Sequence, residues 1–301
     1  MSGGPTARTR VYAVLGHPVD HSLSPTMQNA AFRASGQDAA YVALDVPPER
    51  LGDALRGLHA AGVAGLNLTT PLKEAAWPYL AGASEEAARM RTVNTLRWER
   101  GGWMGHATDG EGFGDWIGAL RVPVRGARVL LLGAGGAARS IAPWLLSMEP
   151  AAIQVLSRDG GHARALAEDV GSARAKGTRG VAVRPGSFDD SPAIDPAGAF
   201  DLLIRALASD AIGAEEARWW DTLRPDAPAL ELNYGARAAA SRSRAKRDGR
   251  PFEDGIGLLL HQGARSFEFW TGTAAPIGVM RAALRTASEA LAQATRVEDR
   301  P

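Results

Sequence analysis

Apolar and polar positions along the 301-residue chain fall into two alternating series. In the first, short apolar runs at 11–16 (VYAVLG), 41–46 (YVALDV) and 64–69 (AGLNLT) read as strands. Between them, 24–35 (SPTMQNAAFRAS) and 47–62 (PPERLGDALRGLHAAG) carry helical periodicity, and Pro47 and Pro48 suit a helix entry. Strand, helix and strand with connections this short predict parallel βαβ units. Residues 91–109 predict a hairpin turning at Gly101 and Gly102, followed by a helix over 111–121. The second series begins at 127–133 (ARVLLLG) and continues through AIQVLS, VAVRP, DLLIRA and PALELNY, with helical or loop material between. From about Gly255 the tail is helical in pattern. The expected fold is α/β with two domains and a boundary near residue 110, and the final helices are able to pack on either.

Composition narrows the class. Apolar residues are 45% and charged residues 22% of the chain, ordinary for a soluble globular protein. A net charge of +1 gives no general reason to expect nucleic acid or an anionic membrane as partner. The basic stretch 236–250, with Arg242, Arg244, Lys246 and Arg247, lacks interleaved aromatic residues and reads as a solvated helix. No window reaches the roughly 18–20 unbroken apolar residues that span a bilayer. The apolar run near the start is too brief for a secretory signal. Without cysteine there are no disulfides, thiolate nucleophiles or cysteine-ligated zinc. His17 and His21 are four apart, but Pro18 argues against a helix that would pair them on a metal. A cytoplasmic enzyme is expected.

The stretch VLLLGAGGAARSIAPWL (129–145) sets Gly133, Gly135 and Gly136 between an apolar run and an amphipathic helix. Gly133 permits a tight turn, Gly135 lets the backbone approach a pyrophosphate, and the helix N-terminus offers free N–H groups to the anion. Ala138 stands at the usual third glycine and is small enough for close helix–strand packing. This strand–turn–helix context predicts dinucleotide binding. The next strand ends in Ser157-Arg158-Asp159. A carboxylate there usually takes a ribose 2′-hydroxyl, whereas an arginine suits a 2′-phosphate. Arg158, which Arg164 is able to join, favours NADP; Asp159 keeps NAD open.

In the first series, LNLTTPLKE (66–74) ends a strand and places Lys73 in the first turn of the following helix. The helix dipole disfavours a cation there, so the position suggests an ammonium aimed at a ligand. Ser22 and Ser24 lie two apart just before Pro25, where two hydroxyls and free helix N–H groups can hold a carboxylate. Alternatively, Ser24 only caps the helix.

The segments GHPVDHSLSP, NLTTPLK, TVNTL, ATDGEGF, GAGGAAR and DGIGLLLHQGARSFEFWTG occur in the order found in shikimate dehydrogenases, and the chain resembles that family from about residue 11 to its final helices. The resemblance implies reversible NADPH-dependent reduction of 3-dehydroshikimate to shikimate, in aromatic amino acid biosynthesis. It implies two α/β domains with the active site in the cleft between them. The substrate domain would be 1–110 completed by helices 255–301, and the Rossmann domain 111–254. Ser22 and Ser24 are then expected on the substrate carboxylate. Thr69, Asn94, Asp109 and Gln262 are expected on the ring hydroxyls, with Tyr234 as a further substrate contact. Lys73 is the implied acid/base, oriented by Asp109. Gly133, Ala134, Gly135, Gly136 and Ala137 form the implied phosphate loop and Arg158 meets the 2′-phosphate. Glu85, Leu232 and Gly255 fall at further cofactor contacts. A monomer or homodimer is expected.

The departures from the family pattern lie mainly in the cofactor half. Ser157-Arg158-Asp159 stands for the usual Asn-Arg-Thr, and Arg205-Ala206-Leu207 for Asn-Ala-Thr. The common proline after Tyr234 is missing, and Ala107 replaces an asparagine. Arg205 is placed either to reach a phosphate or to cap a neighbouring strand. Two other readings stand beside the first: a quinate/shikimate dehydrogenase that accepts NAD, and a paralogue that binds a shikimate-like acid without turnover. Retention of Lys73 and Asp109 argues against the last, because binding alone needs no proton donor.

Overall fold

The computed structural model describes residues 4–99, 101–172, 181–190 and 199–298. The chain divides into two compact units, Met1–Gly112 with Leu259–Pro301, and Phe113–Leu258.

The first unit runs β1 (Arg10–Gly16), α1 (Ser24–Ala34), β2 (Ala39–Asp45), α2 (Leu51–Ala60), β3 (Gly65–Leu68), α3 (Leu72–Ala75), β4 (Leu80–Ala83), α4 (Glu85–Met90), β5 (Thr95–Glu99), β6 (Gly102–His106) and the start of α5 (Thr108–Leu120). Its sheet has the order β2-β1-β3-β5-β6-β4. Strands β1, β2 and β3 are parallel, whereas β3, β5 and β6 pair antiparallel. The expected βαβ units and hairpin are therefore both present. Residues Tyr12 to Leu15 of β1 are buried without alternation, as in a strand covered on both faces. On α2, Leu51 and Leu55 are buried one turn apart and face the sheet with Ala54 and Leu58.

The second unit contains β7 (Arg128–Leu132), α6 (Gly136–Ser147), β8 (Ala152–Ser157), α7 (Gly160–Ser172), β9 (Ala182–Ser187), β10 (Leu202–Arg205), α8 (Ala214–Trp220), β11 (Ala229–Glu231), α9 (Ala239–Arg247), β12 (Phe252–Glu253) and the start of α10 (Ile256–Thr271). All its strand pairs are parallel, in the order β12-β11-β10-β7-β8-β9. Read from β9, this is the doubly wound order of a Rossmann sheet, with its switch point between β7 and β10. The apolar run of β7 is wholly buried from Val129 to Leu132. Leu130, Leu132, Leu156 and Leu203 share a core with Trp219 and Trp220 of α8.

From Leu259, α10 belongs to the first unit, as does α11 (Ile277–Glu298). Phe267 and Trp270 of α10 form a buried aromatic cluster with Tyr12 and Phe32. Tyr12 stacks on Phe32 with ring centroids 4.9 Å apart, and Trp270 Nε1 donates to the Leu96 carbonyl at 3.0 Å. Each such fully buried large side chain contributes about 1.5–3 kcal/mol of hydrophobic stabilisation. Among the described residues, no helix is long and apolar enough to cross a membrane.

Candidate active site

Strands β1 and β3 are parallel neighbours, so the loops that follow them leave the same edge of the first unit's sheet. The loops are fastened together. A Cβ on Gly16 would come within 2.4 Å of the Thr69 methyl, and His17 N donates to the Thr70 carbonyl at 3.2 Å. Ser22 lies on the first loop and Ser24 opens α1 directly after it. Leu23, not Ser24, holds the N-cap position of α1, and its apolar side chain makes no capping hydrogen bond. Ser24 is already helical and buried, with Pro25 second in the helix, so capping does not account for its hydroxyl. Its backbone N–H donates to Ser22 Oγ at 3.3 Å.

Lys73 sits on α3, a single turn of four residues. A helix this short has little macrodipole, which reduces the expected penalty on a cation in its first turn. Its backbone is anchored instead by Leu72 N to the Thr69 carbonyl at 2.8 Å and by Val93 N to the Lys73 carbonyl at 3.1 Å. The Lys73 side chain is 15% exposed and its ammonium meets Asp109 Oδ2 at 2.5 Å; the Asp109 side chain is 9% exposed. Asn94 Nδ2 donates to the other Asp109 oxygen at 2.8 Å and also reaches Gln262 Oε1 at 3.2 Å. Thr108 N donates to Asn94 Oδ1 at 2.7 Å, fixing the amide's orientation. Lys73, Asn94, Asp109 and Gln262, distant in sequence, thus form one connected polar group.

Behind this group lies a network that the sequence reading did not single out. Thr95, Thr108 and Ser266 form a triangle of hydroxyls with sides of 3.0, 2.8 and 3.0 Å. Asn94 Nδ2 donates into it at Thr108 Oγ1, 2.8 Å away. Asn67 Nδ2 donates to Thr95 Oγ1 at 3.0 Å and to Ser266 Oγ at 2.9 Å, and Tyr41 donates to Asn67 Oδ1 at 2.7 Å. One signal was available. Ser266 lies four residues after Gln262 on α10, hence on the same helix face.

In the second unit, the turn between β7 and α6 carries the glycines. Gly133 has φ +110°, and a Cβ there would stand 2.4 Å from the Ala206 carbonyl oxygen, so only glycine fits. Gly135 is the N-cap of α6 with no side-chain cap, which leaves the helix N–H groups after it open to an anion. Ala134 and Ala138 are buried, while Gly136 and Ala137 are half-buried. After β8, Arg158 is exposed and makes no ion pair among the described residues. Asp159 is turned to other work: its Oδ1 accepts from Gly161 N at 2.8 Å, capping the start of α7. This chain's residues therefore fit a dinucleotide phosphate.

Leu232 and Gly255 are in contact, since a Cβ on Gly255 would lie 2.1 Å from the Leu232 carbonyl oxygen. Tyr234 follows on the same turn and is half-buried. Glu85 is the cofactor candidate that lies in the first unit. It is exposed and paired with Arg89 one turn along α4. Arg205 is wholly buried, and its five donor contacts go to Glu216 (2.7 and 3.2 Å), Glu231 (2.9 Å) and the carbonyls of Ser209 (2.8 Å) and Ala211 (2.9 Å). A guanidinium has five N–H donors, so none is left for a phosphate. Of the two roles open for Arg205, phosphate binding is removed. Burial pushes the Glu231 carboxyl above the usual carboxylate range, and Arg205, Asn233 and Ser241 pull it back only part of the way.

A doubly wound unit with an open glycine turn, together with an α/β unit bearing a half-buried ammonium–carboxylate pair, defines the class of two-domain dinucleotide-binding α/β proteins. Residues 14–96 match the shikimate dehydrogenase substrate binding domain, and 255–285 match the shikimate 5'-dehydrogenase C-terminal domain. The chain is 41% identical to a shikimate dehydrogenase (NADP(+)) of Methanothrix thermoacetophila, over 92% of this chain and 97% of the relative. Among solved structures it is similar to shikimate 5-dehydrogenase of Thermus thermophilus in complex with NADP(H) and shikimate: TM-score 0.77, 33% identity, 93% of this chain and all of that one covered (100%). It is also similar to the Listeria monocytogenes enzyme in complex with shikimate and NAD: TM-score 0.80, 26% identity, 94% and 99% covered. The chain belongs to the shikimate dehydrogenase family.

Proposed function

We propose that this protein is an NADP-dependent shikimate dehydrogenase, reversibly reducing 3-dehydroshikimate to shikimate for aromatic amino acid biosynthesis. The observation that carries the reading is the Lys73–Asp109 pair at 2.5 Å, tied through Asn94 to Gln262. NADPH, when bound, supplies the hydride that reaches the ketone carbon. Negative charge then builds on the ketone oxygen, where the Lys73 ammonium stabilises it and donates the proton that completes the alcohol. In the reverse direction the Lys73 amine accepts that proton. Asp109 holds the ammonium in place and, with Thr69, Asn94 and Gln262, takes the ring hydroxyls; Tyr234 is a further substrate contact. Ser22 and Ser24 take the substrate carboxylate.

The Gly133–Ala137 turn receives the pyrophosphate and Arg158 the 2′-phosphate, with Glu85, Leu232 and Gly255 as further contacts. The capping role of Asp159 supports NADP over NAD, because its carboxylate is engaged by Gly161 N. The protein acts in the cytoplasm as a monomer or homodimer. Nicotinamide absorbance, followed with shikimate or quinate and with NADP or NAD in turn, tests the reading. Turnover of shikimate with NADP is expected. Activity with quinate and NAD alone would replace it with the quinate/shikimate reading, and no turnover with any pair would favour a binding paralogue.

A further inference from the structure

Arg205 stands at the C-terminal end of β10, beside the switch point of the second unit's sheet. Ligands of open α/β sheets bind outside this end of the strands, and the half-sheet beyond the switch point serves the second mononucleotide of a dinucleotide. The guanidinium spans three elements. It forks onto Glu216 of α8, reaches Glu231 at the end of β11, and gathers the carbonyls of Ser209 and Ala211 from the loop that follows its own strand.

Glu231 passes the restraint on. Its Oε1 accepts from Asn233 N and Nδ2, both at 2.9 Å, and Asn233 Nδ2 also donates to the Leu207 carbonyl at 2.8 Å. The loop at 206–211 and the turn at 232–235 are thereby held to each other and to the strand ends. These segments border the candidate cofactor residues. The Ala206 carbonyl is the atom that a side chain on Gly133 would strike, and Leu232 packs on Gly255. A buried ion-pair cluster of this kind adds little net stability over apolar residues of the same volume, but it fixes one geometry. With no donor left over, Arg205 has no direct ligand contact to make.

We propose that Arg205 is a positioning residue for dinucleotide binding: through Glu216, Glu231 and Asn233 it holds the 206–211 loop and the 232–235 turn in the shape that accepts the nicotinamide half of NADP. The proposal rests on the NADP-dependent reading above. Its test measures NADP+ and shikimate binding separately by calorimetry, well below the melting temperature of each variant. Arg205→Lys keeps the charge but not the five-donor fork. It is expected to raise the Kd for NADP+ about tenfold or more, with the Kd for shikimate within about twofold of wild type. Asn233→Ala leaves the guanidinium cluster in place and releases only the loop, and it is expected to shift NADP+ binding in the same direction. If Arg205→Lys does not fold, Asn233→Ala decides.

A wild-type protein that fails to bind NADP+ overturns both the dinucleotide reading and this proposal. If wild type binds but the folded variants bind NADP+ as tightly, only the proposal is overturned, and Arg205 is structural. A lowered melting temperature with unchanged NADP+ affinity likewise makes Arg205 structural and overturns the proposal.

Discussion

Lys73 Nζ lies 2.5 Å from Asp109 Oδ2, and both side chains are largely shielded from water. An ammonium meant only for the surface would be solvated. Here it is held by a carboxylate whose other oxygen is occupied by Asn94, so its direction is fixed before any substrate arrives.

Replacing Lys73 with alanine removes the proton donor and leaves the expected carboxylate and hydroxyl contacts in place. The expected outcome is a loss in kcat of about 10²–10⁴-fold, the usual worth of general acid–base catalysis. Shikimate binding, measured by calorimetry, should persist. Near-full turnover in Lys73→Ala would remove this residue from the mechanism.

Arg158→Ala should discriminate between the two cofactors. A charge-assisted bond to a 2′-phosphate is worth about 1.5–3 kcal/mol, so the KM for NADP should rise by roughly one to two orders of magnitude. The KM for NAD, which lacks that phosphate, should scarcely move. Parallel changes in both constants would mean that Arg158 does not read the phosphate.

Ser266→Ala removes one corner of the buried hydroxyl triangle and leaves Asn67, Thr95 and Thr108 each short of a partner. The cost should be about 1–3 kcal/mol of stability. A urea midpoint shifted downward with unchanged slope would report it. An unmoved midpoint would mean that the triangle contributes nothing to folding.

Tyr12 is wholly buried, and its hydroxyl has no hydrogen-bond partner among the described residues. Burial raises its pKa above the ordinary 10.0, opposed by Arg10. The unfolded chain therefore releases this proton at lower pH than the folded one, and stability falls as pH rises through about 10 toward the folded value. Tyr12→Phe should raise stability at neutral pH by about 1 kcal/mol and remove this part of the alkaline loss. Thermal denaturation at pH 7 and above pH 10, on both proteins, checks the two effects together.

The main series of strands and helices was legible because parallel strands covered on both faces leave continuous apolar runs, as in Tyr12–Leu15 and Val129–Leu132. Strand β4 was not, since Leu-Ala-Gly-Ala carries no β-branched residue, and β12 is only two residues long. Lys73, Asn94, Asp109 and Gln262 were found through motifs, and the fold brings them into one polar group. Thr95, Thr108 and Ser266 lie within the family-like segments, but a hydroxyl does not show its partner in sequence, and Ser266 joins Thr95 across 171 positions. The role of Arg205 stayed open for a similar reason: Glu216 and Glu231, 11 and 26 positions onward, become its partners only when three elements converge.

The triangle of Thr95, Thr108 and Ser266 has a further property. A hydroxyl has one proton, and Ser266 Oγ also has the Gln262 carbonyl as an acceptor at 3.0 Å, so its proton goes either to that carbonyl or to a neighbour in the triangle. Moving between the two arrangements needs only torsion about C–O bonds, with every heavy atom at rest. The shell behind the Asn94 amide can thus redistribute its protons while the amide itself stays where Thr108 N and Asp109 hold it.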